Sequence, residues 1–314
     1  MTLADVARAL RDRLGDAVTR DASIAELTTY RLGGPAAVLV RVADLDALAA
    51  LAEVVGEGTV PLLVVGRGSN LLVAERGYAG VVVVLDGEFG HVDVGEDIVT
   101  AGAAVPLPVL ARRSAAAQRA GLEFYVGIPG TVGGAVRMNA GGHGRDTSEV
   151  LVDAQIADLG SRARLRTWLP DDLRFGYRTS ALGATDVVVA ARFTVTRDET
   201  GACEQRISDV VAWRREHQPG GANAGSVFRN PPGDSAGRLI DACGLKGFRV
   251  GGAYVSPKHA NFFQAEPGAT ADDVHALVAE VRRRVEEQTG TRLEPELHMV
   301  GFDAEEATVG GDVA

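Results

Sequence analysis

Cysteine is scarce in this chain, long apolar runs are missing, and positive charge falls short of negative. Only Cys203 and Cys243 occur among 314 residues. That is too few for a disulfide scaffold and lacks the spacing of a metal site, so the sequence fits a reducing compartment and no metal is expected. No apolar stretch reaches the roughly 18 residues of a membrane span, and residues 1–20 read as a charged amphipathic pattern rather than a signal peptide. Asp and Glu outnumber Lys and Arg by 42 to 32, a formal charge of −10. This argues against nucleic acid, whose phosphates are bound by clustered cations. The one basic cluster, Arg282–Arg284, falls in a helical pattern and reads as a solvated face. The expectation is a cytoplasmic protein, monomeric or weakly oligomeric, with no nucleic-acid or membrane partner.

Glycine, by contrast, is abundant: 39/314, about 12%, against about 7% in an average protein. Seven of the eighteen residues from Gly127 to Gly144, GIPGTVGGAVRMNAGGHG, are glycine. That density weakens helix and strand alike, so the segment is there for where its backbone can go. Gly130, Gly133 and Gly134 clear side chains from a surface on which something large can lie, and Thr131 before AVRMNA predicts a short helix opening after the turn. A helix N-terminus presents unpaired N–H groups and a partial positive charge, and so can hold a diphosphate. Taken alone, such a run would read as a surface turn.

A second cluster changes that reading. Gly66-Arg67-Gly68-Ser69-Asn70-Leu71-Leu72 follows the apolar run Leu62–Val65 and begins like a dinucleotide fingerprint. Leu71, however, stands where the third glycine belongs, and the strand-like Val81–Leu85 follows in place of a helix, so a Rossmann reading fails. A strand, a GxGSN turn and another strand would instead set Ser69, Asn70 and successive amides as a small anion nest.

The length suits two domains rather than one core. A first unit, 1–86, reads as helices Leu3–Leu14 and Leu45–Val55 with strands Ala36–Val42, Leu62–Val65 and Val81–Leu85. The second, 87–198, alternates strands Ile98–Ala101, Val150–Ala157, Leu165–Trp168 and Asp186–Thr196 with a helix Leu107–Ala120. In the third, 199–301, helix Ile207–His217 is followed by a strand Ser226–Arg229 and a short helix Ala236–Ala242. A long helix then opens on Thr270 and Asp273, buries a stripe from Val274 to Val285, and stops at Gly290. Residues 302–314 read as a disordered acidic tail. The fold class is α+β.

Together GRGSNLL and GIPGTVGGAVRMNAGG resemble the flavin-binding half of the UDP-N-acetylenolpyruvoylglucosamine reductases, the MurB family of peptidoglycan synthesis. The resemblance runs from about Thr28 to Gly301 and includes Thr29-Tyr30-Arg31-Leu32-Gly33-Gly34-Pro35, which the residues alone would allow as a plain loop. It implies a two-part FAD-binding domain of the vanillyl-alcohol oxidase and p-cresol methylhydroxylase type, with its two parts clasping the flavin, and a C-terminal α+β substrate domain. It implies FAD held without a covalent bond, NADPH as co-substrate, and a UDP-sugar as substrate. The cofactor would lie on Gly66, Gly68, Ser69, Asn70 and Leu71 of the first motif. From the second it would meet Gly127, Ile128, Pro129, Gly130 and Thr131, then Gly133, Gly134, Asn139, Ala140 and Gly141.

The same resemblance assigns the chemistry. Phe175-Gly176-Tyr177-Arg178 matches a motif whose arginine steadies a developing enolate, a role that a fixed planar cation suits; Tyr177 would meet substrate. In Gly225-Ser226-Val227-Phe228-Arg229-Asn230-Pro231 the serine is the family's proton donor, and Arg229 and Asn230 would contact the uridine diphosphate part. Glu294 and Glu296 would share one side of a strand, so spacing alone leaves both open. The family's glutamate precedes the last apolar run, which selects Glu296, expected to hold or relay a proton and so to stabilise the enolic intermediate with Arg178. GLKGFRVGGAYVSPKHANF, residues 244–262, matches the family closely without the tyrosine-bearing insertion of longer members, and His259 reads as structural. One departure stands out: His217 occupies the place of a lysine associated with the diphosphate. An oxidase of the same fold, or a nucleotide-sugar-binding protein without turnover, are the rival readings.

Overall fold

The computed structural model describes residues 1–56 and 60–302; the expected tail lies outside the described residues except for Phe302. Helix ends follow capping chemistry. Thr2 and Asp5 form a capping box that opens Leu3–Leu14, Asp44 accepts the Ala47 N–H to open Leu45–Val55, and Thr270 with Asp273 opens Ala271–Thr289. Gly290 ends that last helix with φ 72°. Its stripe Val274, Leu277, Val278, Val281 and Val285 is buried as expected, while Arg283 is neutralised within the helix by Glu280 and Glu287.

Val18–Ser23, Pro35–Val42, Tyr78–Leu85 and Leu62–Val64 form a four-stranded sheet in that order. The chain falls into two compact units, the first of residues 1–20, 38–67 and 80–214, the second of 21–37, 68–79 and the chain from 215 on. The architecture is α+β.

Two clusters make the interior of the first unit. Val6, Leu10, Leu48 and Leu51 from the two N-terminal helices pack with Val38, Val40, Val81 and Val83 of the sheet. The other cluster surrounds a five-stranded antiparallel sheet ordered Arg164–Trp168, Leu151–Asp158, Asp186–Thr194, Ile98–Gly102, Val92–Val94. Leu107, Leu110, Tyr125, Val132 and Val136 close over that sheet, and the buried Tyr125 hydroxyl donates to Thr147 Oγ1 at 3.0 Å. The helix expected over Leu107–Ala120 ends at Ala116. Gln118 turns to φ 57° and Arg119–Ala120 pair with Thr196–Arg197 as short strands.

In the second unit Tyr30, Phe228 and Phe263 join the stripe of the long helix in one core. Arg249–Val250, Ala253–Val255 and Phe263–Ala265 form a small antiparallel sheet. Leu71–Val73, directly after the GxGSN turn, pairs in parallel with His298–Val300. Two expectations are corrected. Ser226–Arg229 is not a strand: it makes isolated bridges, Ser226 with Phe262 and Phe228 with Pro295. Glu294 and Glu296 likewise precede the last strand, which begins at His298, because Pro295 has no N–H for a ladder.

Among the described residues no helix is long and apolar enough to cross a membrane, and no three His, Cys, Asp or Glu side chains are grouped to hold a metal ion. Cys203 and Cys243 are both free thiols.

Candidate active site

In the first unit the glycine-rich segment leaves a 3₁₀ turn at Glu123–Gly127 and enters the helix Val132–Met138 after Thr131, whose Oγ1 accepts the Gly134 N–H at 3.4 Å. The expected set of unpaired amides at this helix start is not found. Val132 N–H donates to Val105 O at 3.0 Å and Gly133 N–H to Ala103 O at 2.9 Å, so the helix end is stitched to the chain that follows the strand Ile98–Gly102. The helix closes at Asn139, which is buried and left-handed at φ 41°. Its side chain is spent on the fold, with Nδ2 donating to Gly176 O at 3.0 Å and Oδ1 accepting the Ser148 N–H at 3.0 Å.

Arg178 reaches the far end of this loop. Its guanidinium donates to Gly141 O at 2.9 Å and Asn139 O at 3.4 Å, and lies 5.0 Å from the ring of the exposed Tyr177. The residue has φ 58°, a conformation that costs a non-glycine residue energy and tends to persist where function requires it. At the loop's near end Arg214 donates to the Gly127 carbonyl. Burial lowers the pKa of both Arg214 and Arg137, the latter donating to Gly183 O at 2.9 Å. Half-buried cations at the loop favour an anion there. The sequence assigns Arg214 no role, although it is the arginine of the R-x-x-K-Q-P pattern in which His217 replaces the lysine.

In the second unit the turn Gly68-Ser69-Asn70 presents its amides without an acceptor among the described residues, which is the nest the sequence suggests. Gly68 is required: at φ 53° it faces Leu27 O, which a Cβ would meet at 2.2 Å. Asn70 Nδ2 donates to Glu296 O at 3.0 Å. Glu296 N–H in turn donates to Val227 O at 2.8 Å, and Arg229 N–H to Glu294 O at 2.8 Å. Ser226 and Glu296 are therefore on adjacent, hydrogen-bonded segments, while Glu294 is exposed. On the other side Val227 and Phe228 are bonded to the buried Asn261.

The remaining predicted residues also sit in the second unit. Arg229 Nε is buried and has no partner among the described residues, the condition a bound acceptor would relieve. Asn230 Oδ1 accepts the Ala236 N–H at 3.1 Å, steadying the start of the helix Ala236–Ala242. His217 is the exposed last residue of the helix Ala202–His217, with Nδ1 4.0 Å from Glu216 Oε2. His259 is held structurally: Nδ1 accepts the Asn261 N–H at 3.3 Å, and burial is the main cause that lowers its pKa.

Gly134 shows whether these residues suit a flavin dinucleotide. It is exposed in the first turn of its helix, and a Cβ there would meet only Thr131 Oγ1, at an ordinary 3.6 Å. The fold's own packing gives no reason for glycine where alanine would favour the helix by about 1 kcal/mol. A large group lying against the backbone does, and with the half-buried cations of this loop it fits FAD.

The comparisons with known proteins agree. The FAD binding domain family matches residues 36–160, and the UDP-N-acetylenolpyruvoylglucosamine reductase C-terminal domain matches residues 217–300. The chain is 43% identical over 299 residues to the UDP-N-acetylenolpyruvoylglucosamine reductase of a Bradyrhizobium species, covering 94% of this chain and 95% of that one. It is 42% identical over 278 residues to UDP-N-acetylenolpyruvoylglucosamine reductase 2 of Symbiobacterium thermophilum, covering 88% and 90%. The crystal structure of the reductase MurB from Thermus caldophilus superposes with a TM-score of 0.77 at 36% identity, over 90% of this chain and 98% of that one. From its glycine loops to its last strand, the chain belongs to the UDP-N-acetylenolpyruvoylglucosamine reductase family of FAD-binding oxidoreductases.

Proposed function

We propose that this chain reduces UDP-N-acetylglucosamine enolpyruvate to UDP-N-acetylmuramate, with NADPH as electron donor and non-covalent FAD, as a cytoplasmic step of peptidoglycan precursor synthesis. The observation that carries the proposal is the hydrogen bond from Glu296 N–H to Val227 O at 2.8 Å, which puts the segment of a hydroxyl donor beside that of a carboxylate. FAD supplies the transfer of a hydride from NADPH to the vinyl methylene carbon of the substrate.

The chain's own residues do the rest. Ser226 gives its hydroxyl proton to the carbon next to the one that receives the hydride. A hydroxyl is a weak acid, so this works only for a reactive enolic acceptor held in place. Arg178 offsets the negative charge of that enolate, and Glu296 holds or relays the proton that restores the serine. Gly66, Gly68, Ser69, Asn70 and Leu71, with the segment Gly127–Gly141, hold the cofactor by backbone. Tyr177, Arg229, Asn230 and His217 hold the nucleotide sugar. Residues 1–86 and 87–198 serve as the two halves of the cofactor domain and 199–301 as the substrate domain, in a monomer or weak oligomer.

The test is anaerobic. NADPH should bleach the flavin of the purified yellow protein, and the enolpyruvyl substrate should restore the colour with one product formed per NADPH consumed. Acid or heat should release the flavin. A bleached protein that the substrate leaves colourless would refute the assignment, and flavin retained on the denatured chain would favour an oxidase of the same fold.

A further inference from the structure

We infer that Asn261 is the positioning residue for proton delivery: its buried side-chain amide grips the main chain of Phe228 at both N–H and C=O, and so sets where the Ser226 hydroxyl stands. The inference rests on the reading of Ser226 as the proton donor.

Asn261 is 3% exposed. Its Oδ1 accepts the Phe228 N–H at 3.0 Å and its Nδ2 donates to Phe228 O at 2.8 Å, while its backbone carbonyl accepts the Val227 N–H at 2.8 Å. One acceptor and one donor on a planar amide are what a neighbouring strand would offer. Here they are needed, because Ser226–Phe228 lacks a ladder and makes only isolated bridges, to Phe262 and Pro295. A segment held by two separated bridges is pinned at few points, and a side chain that pairs both polar groups of one residue adds a further pair of bonds.

The grip extends in both directions along the chain. Ser226 is two residues before Phe228 and bridges Phe262, the residue after Asn261. Across the segment, Val227 O accepts the Glu296 N–H and Arg229 N–H donates to Glu294 O, both at 2.8 Å. The donor segment therefore lies between Asn261 and the glutamate segment, and releasing the amide loosens it on one side, where the Val227 N–H bond to the Asn261 backbone carbonyl stays. A weakly acidic hydroxyl has little margin for this, since a displacement of about 1 Å at a reacting group costs about 10²-fold in rate.

The experiment uses the FAD-loaded protein and three variants, Asn261→Ala, Asn261→Asp and Ser226→Ala. Stopped-flow absorbance separates flavin reduction by NADPH from reoxidation by the enolpyruvyl substrate, and hydrogen exchange reports the Phe228 amide. In Asn261→Ala, reduction should stay within about twofold of wild type, reoxidation should fall by about 10²-fold, and the Phe228 amide should lose protection. A protonated aspartic acid offers the same donor and acceptor as asparagine, whereas its ionised form faces Phe228 O with acceptors alone. At a position only 3% exposed, burial would hold an aspartic acid protonated well above the ordinary carboxylate range, so reoxidation in Asn261→Asp should fall relative to wild type as pH rises from about 6 to 9.5, with reduction unaffected.

Equal losses in both half-reactions of Asn261→Ala would overturn the inference. So would wild-type reoxidation with an unprotected Phe228 amide. If Asn261→Ala does not fold, Asn261→Asp decides: a pH profile parallel to wild type overturns the inference. A normal loss in Ser226→Ala with unaffected Asn261 variants defeats the positioning role alone, whereas an inert Ser226→Ala defeats the proton-donor reading beneath it.

Discussion

Gly66 stands so close to Thr131 that no methyl group fits between them: a Cβ on Gly66 would lie 2.5 Å from Thr131 Oγ1 and 3.1 Å from Cγ2. The two glycine motifs thus meet through an omitted side chain. Thr131 is held there by its own duty, since its hydroxyl accepts the Gly134 N–H at the start of the helix Val132–Met138.

Gly66→Ala should therefore push Thr131 off its cap and destabilise the protein by about 1–3 kcal/mol, the usual cost of overpacking. Thr131→Ala alone should cost about 1 kcal/mol as a lost cap. The double variant should lose less than the sum, because removing Oγ1 and Cγ2 makes room for the new methyl. Urea denaturation of the four proteins gives the coupling; strictly additive losses would mean the contact does not matter.

Gly134→Ala should separate stability from cofactor binding. The flavin-free protein should gain up to about 1 kcal/mol from the better helix former, while FAD affinity falls because the methyl occupies the surface on which the cofactor rests. Thermal unfolding of the flavin-free protein and a flavin fluorescence titration measure the two. Unchanged affinity would remove Gly134 from the cofactor surface.

Ser226→Ala should leave NADPH-driven flavin reduction near wild type and slow reoxidation by the enolpyruvyl substrate by about 10² to 10⁴, the range for a lost proton-transfer group. A comparable loss in both steps would make Ser226 structural.

His217→Lys should tighten binding of the UDP-sugar by about 1 kcal/mol, the scale of one exposed charge contact, with the gain shrinking as salt rises. Calorimetric titration of both proteins at two ionic strengths makes the comparison. Identical affinities would leave the diphosphate to Arg229, Asn230 and backbone amides.

His259 predicts an acid-side loss of stability. Burial is the largest cause holding its pKa below the ordinary histidine value, with Lys246 adding to the effect and a backbone hydrogen bond opposing it. The unfolded chain therefore takes up the proton first, so this contribution is intact above about pH 6.5 and is lost as pH falls below it. Protonation at Nδ1 would also remove the acceptor of the Asn261 N–H. Urea midpoints at pH 7.5 and 5.5 should fall further in wild type than in His259→Asn; equal falls would place the acid sensitivity elsewhere.

What the sequence makes legible here is local chemistry. Thr270 and Asp273 mark the start of the long helix and Gly290 its end, because caps are read within one turn. Crowded glycines likewise announce a backbone surface. Distant partners are not legible: nothing in Val132 or Gly133 says that Val105 and Ala103 will take their amides. The helix formers of residues 117–120 give no hint that Arg119–Ala120 will pair with Thr196–Arg197. Of the proposed catalytic residues, motif resemblance supplies Arg178, Ser226 and Glu296. Arg214 and Asn261 stay hidden because a polar side chain carries no mark of which carbonyl it will find. Asn139 and Asn230 show the converse, since both are placed by motif and each spends hydrogen bonds on the fold.

The bond from Asn70 Nδ2 to Glu296 O spans 226 residues, and the strand after Asn70 pairs with His298–Val300. A growing polypeptide makes the GxGSN turn first and must wait for the segment that holds Glu296 before that turn acquires its support. Closing so long a loop is slow in comparison with local folding. During synthesis on the ribosome the cores built from earlier residues can consolidate first, and the GxGSN turn gains its support only once Glu296 and the strand His298–Val300 have been made.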